Sequence, residues 1–521
     1  MDWKQKLERS KAWLITALAA TFLWGLPAHG YAFFDNNVSH DSLREFHAEI
    51  LGNDIKLTFG RFVTPIYRDL LGSDVTLPWF TGLLALLWIG LAVFLVARML
   101  KVESKPAVML IAGIFTTNIS VSATAATYLH DLDSYMFAML CAVGAAWLWN
   151  RYPKGWLAGA ILITVSLGIY QSYLFTAVAL IMIACILDLM NGGDFQRVMR
   201  RGMKAVGMLL LGGILYFLLM KGFLRLSGAV LSEGEYNSLD RMTLLNPGTI
   251  GSVIAGAYAD WFHRLWNAYS SYPAVLIKGA TAVFFAIDIA ALAVFLLGTK
   301  HGWKEKLLCA VLTALLPLGM NMIYVLTMNS VHDLMVYPTW LFYLLTMLLA
   351  MWLREHWKDA AIPVGRLQRL LCMFLIGMVL YGNVRFSNGM YVKKNLEFDA
   401  NLSLMTRVVG RMEAFEGYAP GQTPVVFVGL PKILNRVIPG FKDYWNVTGM
   451  TGSSTIYTTE SNRIQAYFDY ILSVPIQLAD GETSRQILSQ DEVQNMPCYP
   501  TEGFMRYFGD TLVIKLGDIS G

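Results

Sequence analysis

Charge is what this chain of 521 residues is short of. Asp, Glu, Lys and Arg make up 15% of it and hydrophobic residues 55%, against roughly 25% charged in an average soluble domain. That balance excludes an ordinary water-soluble enzyme. Cysteine is scarce as well. Of Cys141, Cys185, Cys309, Cys372 and Cys498, the first four fall inside apolar segments and only Cys498 lies in a polar region. Neither a zinc spacing nor a disulfide framework is visible. The formal charge is only +4, and the basic residues sit in short clusters between apolar runs, which speaks for membrane topology and against a nucleic-acid partner. Internal repeats, low-complexity tracts and a glycine-rich phosphate signature are all missing. No small-residue cleavage site follows the first apolar run, so that run is expected to stay as a signal anchor.

What the chain does have is long apolar runs. A membrane span needs about 20 mostly apolar residues, and eleven segments qualify: 13–29, 78–99, 107–127, 135–149, 156–169, 172–190, 203–220, 274–297, 307–326, 340–353 and 370–384. The 15 tryptophans and 24 tyrosines suit two interfacial aromatic belts. Lys and Arg concentrate at Lys4–Lys11, Arg98–Lys105, Arg151–Lys154, Arg197–Lys204, Lys300–Lys306 and Arg354–Arg369. Every second connection is therefore basic, provided Tyr170-Gln171 is a turn. By the positive-inside rule the N-terminus is then cytoplasmic and the C-terminus lies on the far side. The fold class expected is a polytopic all-α membrane protein with about 11 transmembrane helices. It comprises a membrane domain over 1–389, with outer loops 30–77 and 221–273, and a small extracytoplasmic α/β domain over 390–521.

The stretch 253–266 inside the second loop is amphipathic and is expected to lie along the interface or dip partly into the membrane, without counting as a span. In the tail, Leu402, Met405, Val408, Val409, Met412 and Phe415 recur with helical spacing over 397–415. TPVVFVGL and the closing TLVIKL read as strands, and 461–472 reads as a helix.

The polar constellations all fall on the outer connections. FFDNNVSHDSLREF places Asp35, Asn36, Asn37, His40 and Asp41 just beyond the first span, with Glu45, Glu49, Asp54 and Asp74 further along the loop. A partly desolvated carboxylate there can serve as a general base on a sugar hydroxyl, its pKa raised by burial; equally, Asp35 or Asn36 can cap a helix while Asp41 stays solvated. His130-Asp131-Leu132-Asp133 squeezes two carboxylates into a turn, where they can bind a divalent metal, position an acceptor, or simply face water. Arg61, Arg68, Lys221, Arg225, Arg241 and Arg385 oppose the positive-inside bias. Their forks or ammonium groups suit phosphate oxygens, although snorkelling and ion pairing with loop acids explain them too. His332 beside Asp333 can orient a substrate hydroxyl or cap a turn. Gln171, with Asn118, Thr127, Tyr128, Tyr170 and Tyr173, lies at span ends where polar groups face protein or water.

Three of these features together give the chain a resemblance: Asp35 in FFDNN after the first span, GRFVTPIYRDLL before the second, and the long tail after the last. It resembles the bacterial serotype-converting glucosyltransferases of the GtrII type, within the polytopic GT-C superfamily, over most of the membrane region. The resemblance implies transfer of glucose from a polyprenyl-phosphate carrier to O-antigen or a similar surface polysaccharide, on the periplasmic side of the inner membrane. It matches Asp35 to the first-loop acid of GT-C enzymes. Many of those enzymes have an adjacent acidic pair; here Asn36 follows Asp35, which leaves Asp41 or the Asp131/Asp133 turn as the second carboxylate.

A lipid-phosphate sugar carries a charged leaving group, so its transfer needs no general acid. It needs positive charge at the departing phosphate and a base at the acceptor hydroxyl, with in-line attack inverting the anomeric centre. Asp35 as base with Arg61 and Arg385 as phosphate contacts fits that plan. No cofactor is expected, and metal-independent catalysis follows if the arginines suffice. The partners expected are the lipid-linked donor, a polysaccharide acceptor and membrane lipids. Two other classes compete. A transporter or flippase of lipid-linked sugars should show two similar halves and charge at mid-membrane. A membrane scaffold with an outer recognition domain leaves the paired acids and arginines without a role.

Overall fold

A computed structural model describes residues 3–35, 39, 43, 53–72, 76–233, 248–356, 364–429 and 461–518. The chain divides into two compact units. One comprises Met1–Phe34, Asn53–Ala125 and Asp131–Asn388; the other comprises Asp35–Gly52, Ala126–His130 and Gly389–Gly521.

The first unit is helical. Its elements begin with α1 (Trp3–Phe34), the short α2 (Asn53–Thr58) and α3 (Val63–Leu70), then α4 (Pro78–Met99), α5 (Lys105–Thr116) and α6 (Ile119–Thr127). There follow α7 (Leu132–Arg151), α8 (Gly155–Ile169), α9 (Leu174–Met190), α10 (Phe195–Ser227) and α11 (Ile250–Trp266). The series continues with α12 (Ala274–Ala293), α13 (Trp303–Met320), α14 (Met322–Leu326), α15 (Leu341–His356) and α16 (Val364–Glu413), and the residues of α6 from Ala126 and of α16 from Gly389 belong to the second unit. Local chemistry sets several ends. Pro78 starts α4 at a position whose N–H has no intrahelical partner. Asp194 caps α10 by accepting from the Arg197 amide, and Gly228 closes that helix in the left-handed region.

All eleven apolar segments fall on helices. Among the described residues, seven helices are long and apolar enough to cross a membrane, and an eighth span results if α5 and α6, bent by 43°, are taken together. This is a membrane protein. The three expected spans outside that set have physical reasons for falling short. α8 has 15 residues, α15 has 16, and α13 carries Lys304, Glu305 and Lys306 in its first turn. Asn118 sits at the α5/α6 bend and bridges it, donating to the Ile114 carbonyl at 2.9 Å and accepting from the Val121 amide at 3.3 Å.

α1 lies close against α4. A Cβ at Gly82 would come within 2.4 Å of the Phe33 ring, and one at Gly90 within 2.7 Å of Leu18. Small residues that admit a neighbour this closely are the usual basis of helix packing where apolar burial gives no advantage over lipid. α11 is helical as the amphipathic stretch implied, and it buries Ala257, Trp261 and Leu265 at intervals of one turn.

The tail differs from expectation in one respect. The last apolar segment and the helix expected over 397–415 form the single 50-residue α16, because the intervening RFSNGMYVKKNL has no proline to end it. Leu404 joins Met405, Val408, Val409 and Met412 in the core of the second unit, whereas Leu402 is only partly buried. That core also holds one face of a four-stranded sheet of order β2-β1-β4-β3, with β1 (Pro424–Val428) parallel to β2 (Gln477–Leu478) and to β4 (Thr511–Lys515), and β3 (Met505–Phe508) antiparallel to β4. Val425, Leu512 and Ile514 face α16, and Val426, Val428 and Val513 pack on Ile487, Val493 and Met496. This two-sided burial is why TPVVFVGL and TLVIKL read as continuous apolar runs.

Candidate active site

The first unit gathers its most charged buried cluster from three separate stretches: α2–α3, the start of α7, and the break after α8. Gly60, at φ 72°, ends α2. Its amide donates to the Leu57 carbonyl and the Arg61 amide reaches back to Lys56, both at 2.8 Å. This paired closure requires a left-handed residue, which glycine supplies without strain. It turns the chain so that Lys56, Arg61 and Arg68 all point inward.

Asp131 is fully buried. One of its oxygens accepts from the Lys56 ammonium, and the other from Arg68 Nη2 at 2.9 Å. Two cations on one carboxylate leave a local positive excess, and Asp133 stands within electrostatic reach of both Arg68 and Asp131. Asp133 Oδ2 accepts from the Tyr67 hydroxyl at 3.1 Å, and that hydroxyl accepts from Trp88 Nε1 at 2.9 Å. Burial, followed by the Asp133 charge, pushes the Tyr67 phenol well above its ordinary range, so it stays a donor.

Arg61 is held by aromatics. Its guanidinium carbon lies 4.8 Å from the Tyr170 ring centroid, and Nη1 donates to the Tyr135 hydroxyl at 2.9 Å. Tyr135 and Tyr170 stack at 4.4 Å. The chain does break after Ile169, and Gln171 fastens the break by donating to the Phe59 carbonyl at 2.8 Å and to the Tyr216 hydroxyl at 3.2 Å. Lys56, Tyr67, Trp88 and Tyr135 were not singled out from the sequence. Lys56 carried one signal, being another basic residue in the acid-rich first loop.

A second cluster surrounds Asp333. Arg264 Nη1 donates to its Oδ1 at 2.7 Å while Arg264 Nε holds Asp260 at 2.8 Å, and Tyr269 donates to Oδ2 at 3.4 Å. Asn321 in turn donates to Asp260 at 2.9 Å. The carboxylates outweigh burial and hold Arg264 above its usual range. Burial lowers the pKa of His332, against the opposing pull of Asp333. Asp260 and Arg264 were overlooked although their four-residue spacing on an amphipathic helix is an ion-pair signal. Arg385 joins neither cluster: it is exposed, 5.9 Å from the Tyr272 ring.

Asp35 and His130 belong to the second unit. Asp35 is partly buried and interacts electrostatically with Lys394, whose ammonium donates to the Ala126 carbonyl at 2.5 Å. Ser39 donates to the Thr127 carbonyl at 2.5 Å, and the His130 ring meets Tyr128 edge-on at 6.1 Å. Lys394 was missed; the Lys393-Lys394 pair beyond the last apolar run was its signal. Asn36, Asn37, His40, Asp41, Glu45, Glu49, Asp74 and Arg241 lie outside the described residues, as does the side chain of Asp54. Among the described residues, no group of three His, Cys, Asp or Glu side chains is placed to hold a metal ion.

Chemically, the first cluster offers fixed positive charge, a phenol donor and carboxylates already engaged in pairs. A family model described as Glucosyl transferase GtrII matches residues 30–352. No curated protein and no solved structure matches the chain.

Proposed function

The chain belongs to the family of GtrII glucosyl transferases, and we propose that it is an inverting glycosyltransferase of the GT-C type. On this reading it moves glucose, or a related hexose, from a polyprenyl-phosphate carrier to a hydroxyl of O-antigen or a similar surface polysaccharide, at the periplasmic face of the bacterial inner membrane. The observation that carries the reading is the extent of the family match. It begins at residue 30 and takes in the segments that supply Lys56, Arg61, Arg68, Asp131 and Asp133. A helical membrane protein is also the natural host for a donor that resides in the bilayer. The alternation of basic connections supports eleven spans with a cytoplasmic N-terminus and a periplasmic tail.

The residue roles follow from what the reaction needs. The bond from the anomeric carbon to the phosphate oxygen breaks, and the phosphate leaves as an anion that fixed positive charge stabilises. Arg61 is the residue assigned to that charge, and the exposed Arg385 suits a lipid phosphate at the interface. The acceptor hydroxyl loses its proton to a carboxylate as its oxygen attacks from the opposite face. Asp35 is assigned to this step. Asp131, with both oxygens engaged and no exposure, is assigned to holding the loop, and Asp133 to orienting Tyr67.

The test supplies purified protein with polyprenyl-phosphate glucose and a defined O-antigen acceptor, and compares wild type with Asp35→Asn. Transfer by wild type that drops by about 100-fold or more in the variant, at the scale expected of a lost general base, supports the assignment. Folded wild type that transfers no plausible hexose sinks the enzyme reading; a fully active variant removes Asp35 from the base role.

A further inference from the structure

A cavity of about 1180 Å³ belongs to none of the clusters above. It opens between the C-terminal ends of α4, α7, α9 and α15 and the first turns of α10, in the first unit. Arg98, Lys101, Arg151, Arg197, Arg201 and Lys204 line it, against two carboxylates, Asp188 and Glu355. The positive-inside rule accounts for basic residues at this end of the helices. It does not account for their convergence from three separate segments on one concave site.

Part of the cluster is a rigid frame. Arg201 donates to Asp188 at 2.5 Å and to the Asn150 side chain, and its guanidinium carbon lies 4.7 Å from the Trp149 ring centroid. Trp149 returns a hydrogen bond to the Arg201 carbonyl at 2.9 Å, and Asn150 ties the end of α7 to the Met99 carbonyl at 3.2 Å. Asp188 is thereby spent on Arg201. Arg98, Lys101, Arg151 and Arg197 remain exposed around the frame. The four helix C-termini contribute roughly half a negative charge each, and the side chains, with a net excess of four cations, still leave the cavity positive.

We propose that this cavity binds the phosphodiester headgroup of an acidic membrane lipid. The charge selects an anion, and guanidinium forks match phosphate oxygens. The wall selects a lipid over a soluble phosphate. Phe94, Leu95, Leu187 and Leu348 give the cavity an apolar side, and Trp147 and Trp352 supply the amphipathic rings typical of a membrane interface. Basic pockets between membrane helices are suited to such headgroups. A two-phosphate lipid answers the positive excess better than a one-phosphate lipid, so cardiolipin is expected to bind ahead of phosphatidylglycerol and well ahead of zwitterionic phosphatidylcholine.

The experiment titrates the purified full-length protein in detergent with each of these lipids and with inorganic phosphate, reading bound lipid by native mass spectrometry. The variant R98Q/R151Q/R197Q removes three exposed charges from the cavity and leaves the Arg201 frame intact. K300Q/K304Q/R366Q removes as many charges from residues that do not line it. Cardiolipin is expected to bind about tenfold or more tighter than phosphatidylcholine, with about tenfold weaker binding in the cavity variant only. Equal losses in both variants would reduce the effect to diffuse attraction and overturn the site. Displacement of cardiolipin by an equal concentration of inorganic phosphate would make the ligand a soluble anion, and no preference over phosphatidylcholine would remove the proposal altogether.

Discussion

Arg68 and Asp131 lie 63 residues apart in the chain and meet at 2.9 Å with both side chains buried. Lys56 shares the same carboxylate from a third position. The pair pins the stretch between the first and second apolar helices to the start of α7. A carboxylate engaged on both oxygens is a poor proton acceptor, because protonating it means releasing a buried cation.

Breaking this arrangement should therefore cost stability before it costs chemistry. Asp131→Asn leaves two buried cations facing a neutral amide and is expected to destabilise by about 3–5 kcal/mol. Arg68→Gln leaves Lys56 in place and should cost less. Thermal unfolding in detergent checks the order; an Asp131→Asn protein as stable as wild type would remove the anchoring role.

Tyr67→Phe deletes one hydroxyl that both donates to Asp133 and accepts from Trp88. The expected loss is about 1–3 kcal/mol, since the buried Asp133 acceptor and the half-buried Trp88 donor each lose their partner. Trp88→Phe in the Tyr67→Phe background should cost less than Trp88→Phe alone, as the hydrogen bond it would break is already gone. Additive losses in that double-mutant cycle would argue against the chain of three.

Gly60→Ala places a Cβ on a residue at φ 72°. A loss of about 1 kcal/mol or more is expected, with Gly60→Asn milder because asparagine tolerates the left-handed region better. Glycosyl transfer should fall in the same order, because the turn sets the positions of Lys56 and Arg61. Equal stability for all three proteins would show that the turn can relax.

His332 supplies a pH dependence. Burial lowers its folded-state pKa, whereas the unfolded chain titrates near about 6.5. As pH falls below that value the unfolded chain takes up the proton first, so stability is present above the unfolded pKa and is lost down to the folded one. Melting temperatures between pH 7 and 5 should fall less steeply for His332→Asn than for wild type. Parallel profiles would exclude His332 as the source.

How much of this was readable beforehand depends on the distance over which each feature is determined. α4 begins and ends where the apolar run 78–99 said it would, because a proline and a run of lipid-compatible side chains act within the segment itself. The same holds for β1 and β4, which are buried on both faces and so carry no polar alternation. Asp131 and Asp133 could be marked as notable in the sequence, and so could Arg61 and Arg68. Their pairing could not, since nothing local says that Arg68 answers Asp131 while Arg61 lies against Tyr170.

Sequence alone therefore determined the class of this protein: apolar segments long enough to demand lipid, basic connections between them, and a tail with the period of a helix and the runs of a sheet. Tertiary structure decided what each charge does. Burial removes the water that would otherwise satisfy a carboxylate, and the cation that replaces it has to come from wherever the packing brings one. For Asp131 that meant Lys56 and Arg68, and for Asp333 it meant Arg264, two turns of chemistry that no run of neighbouring residues records.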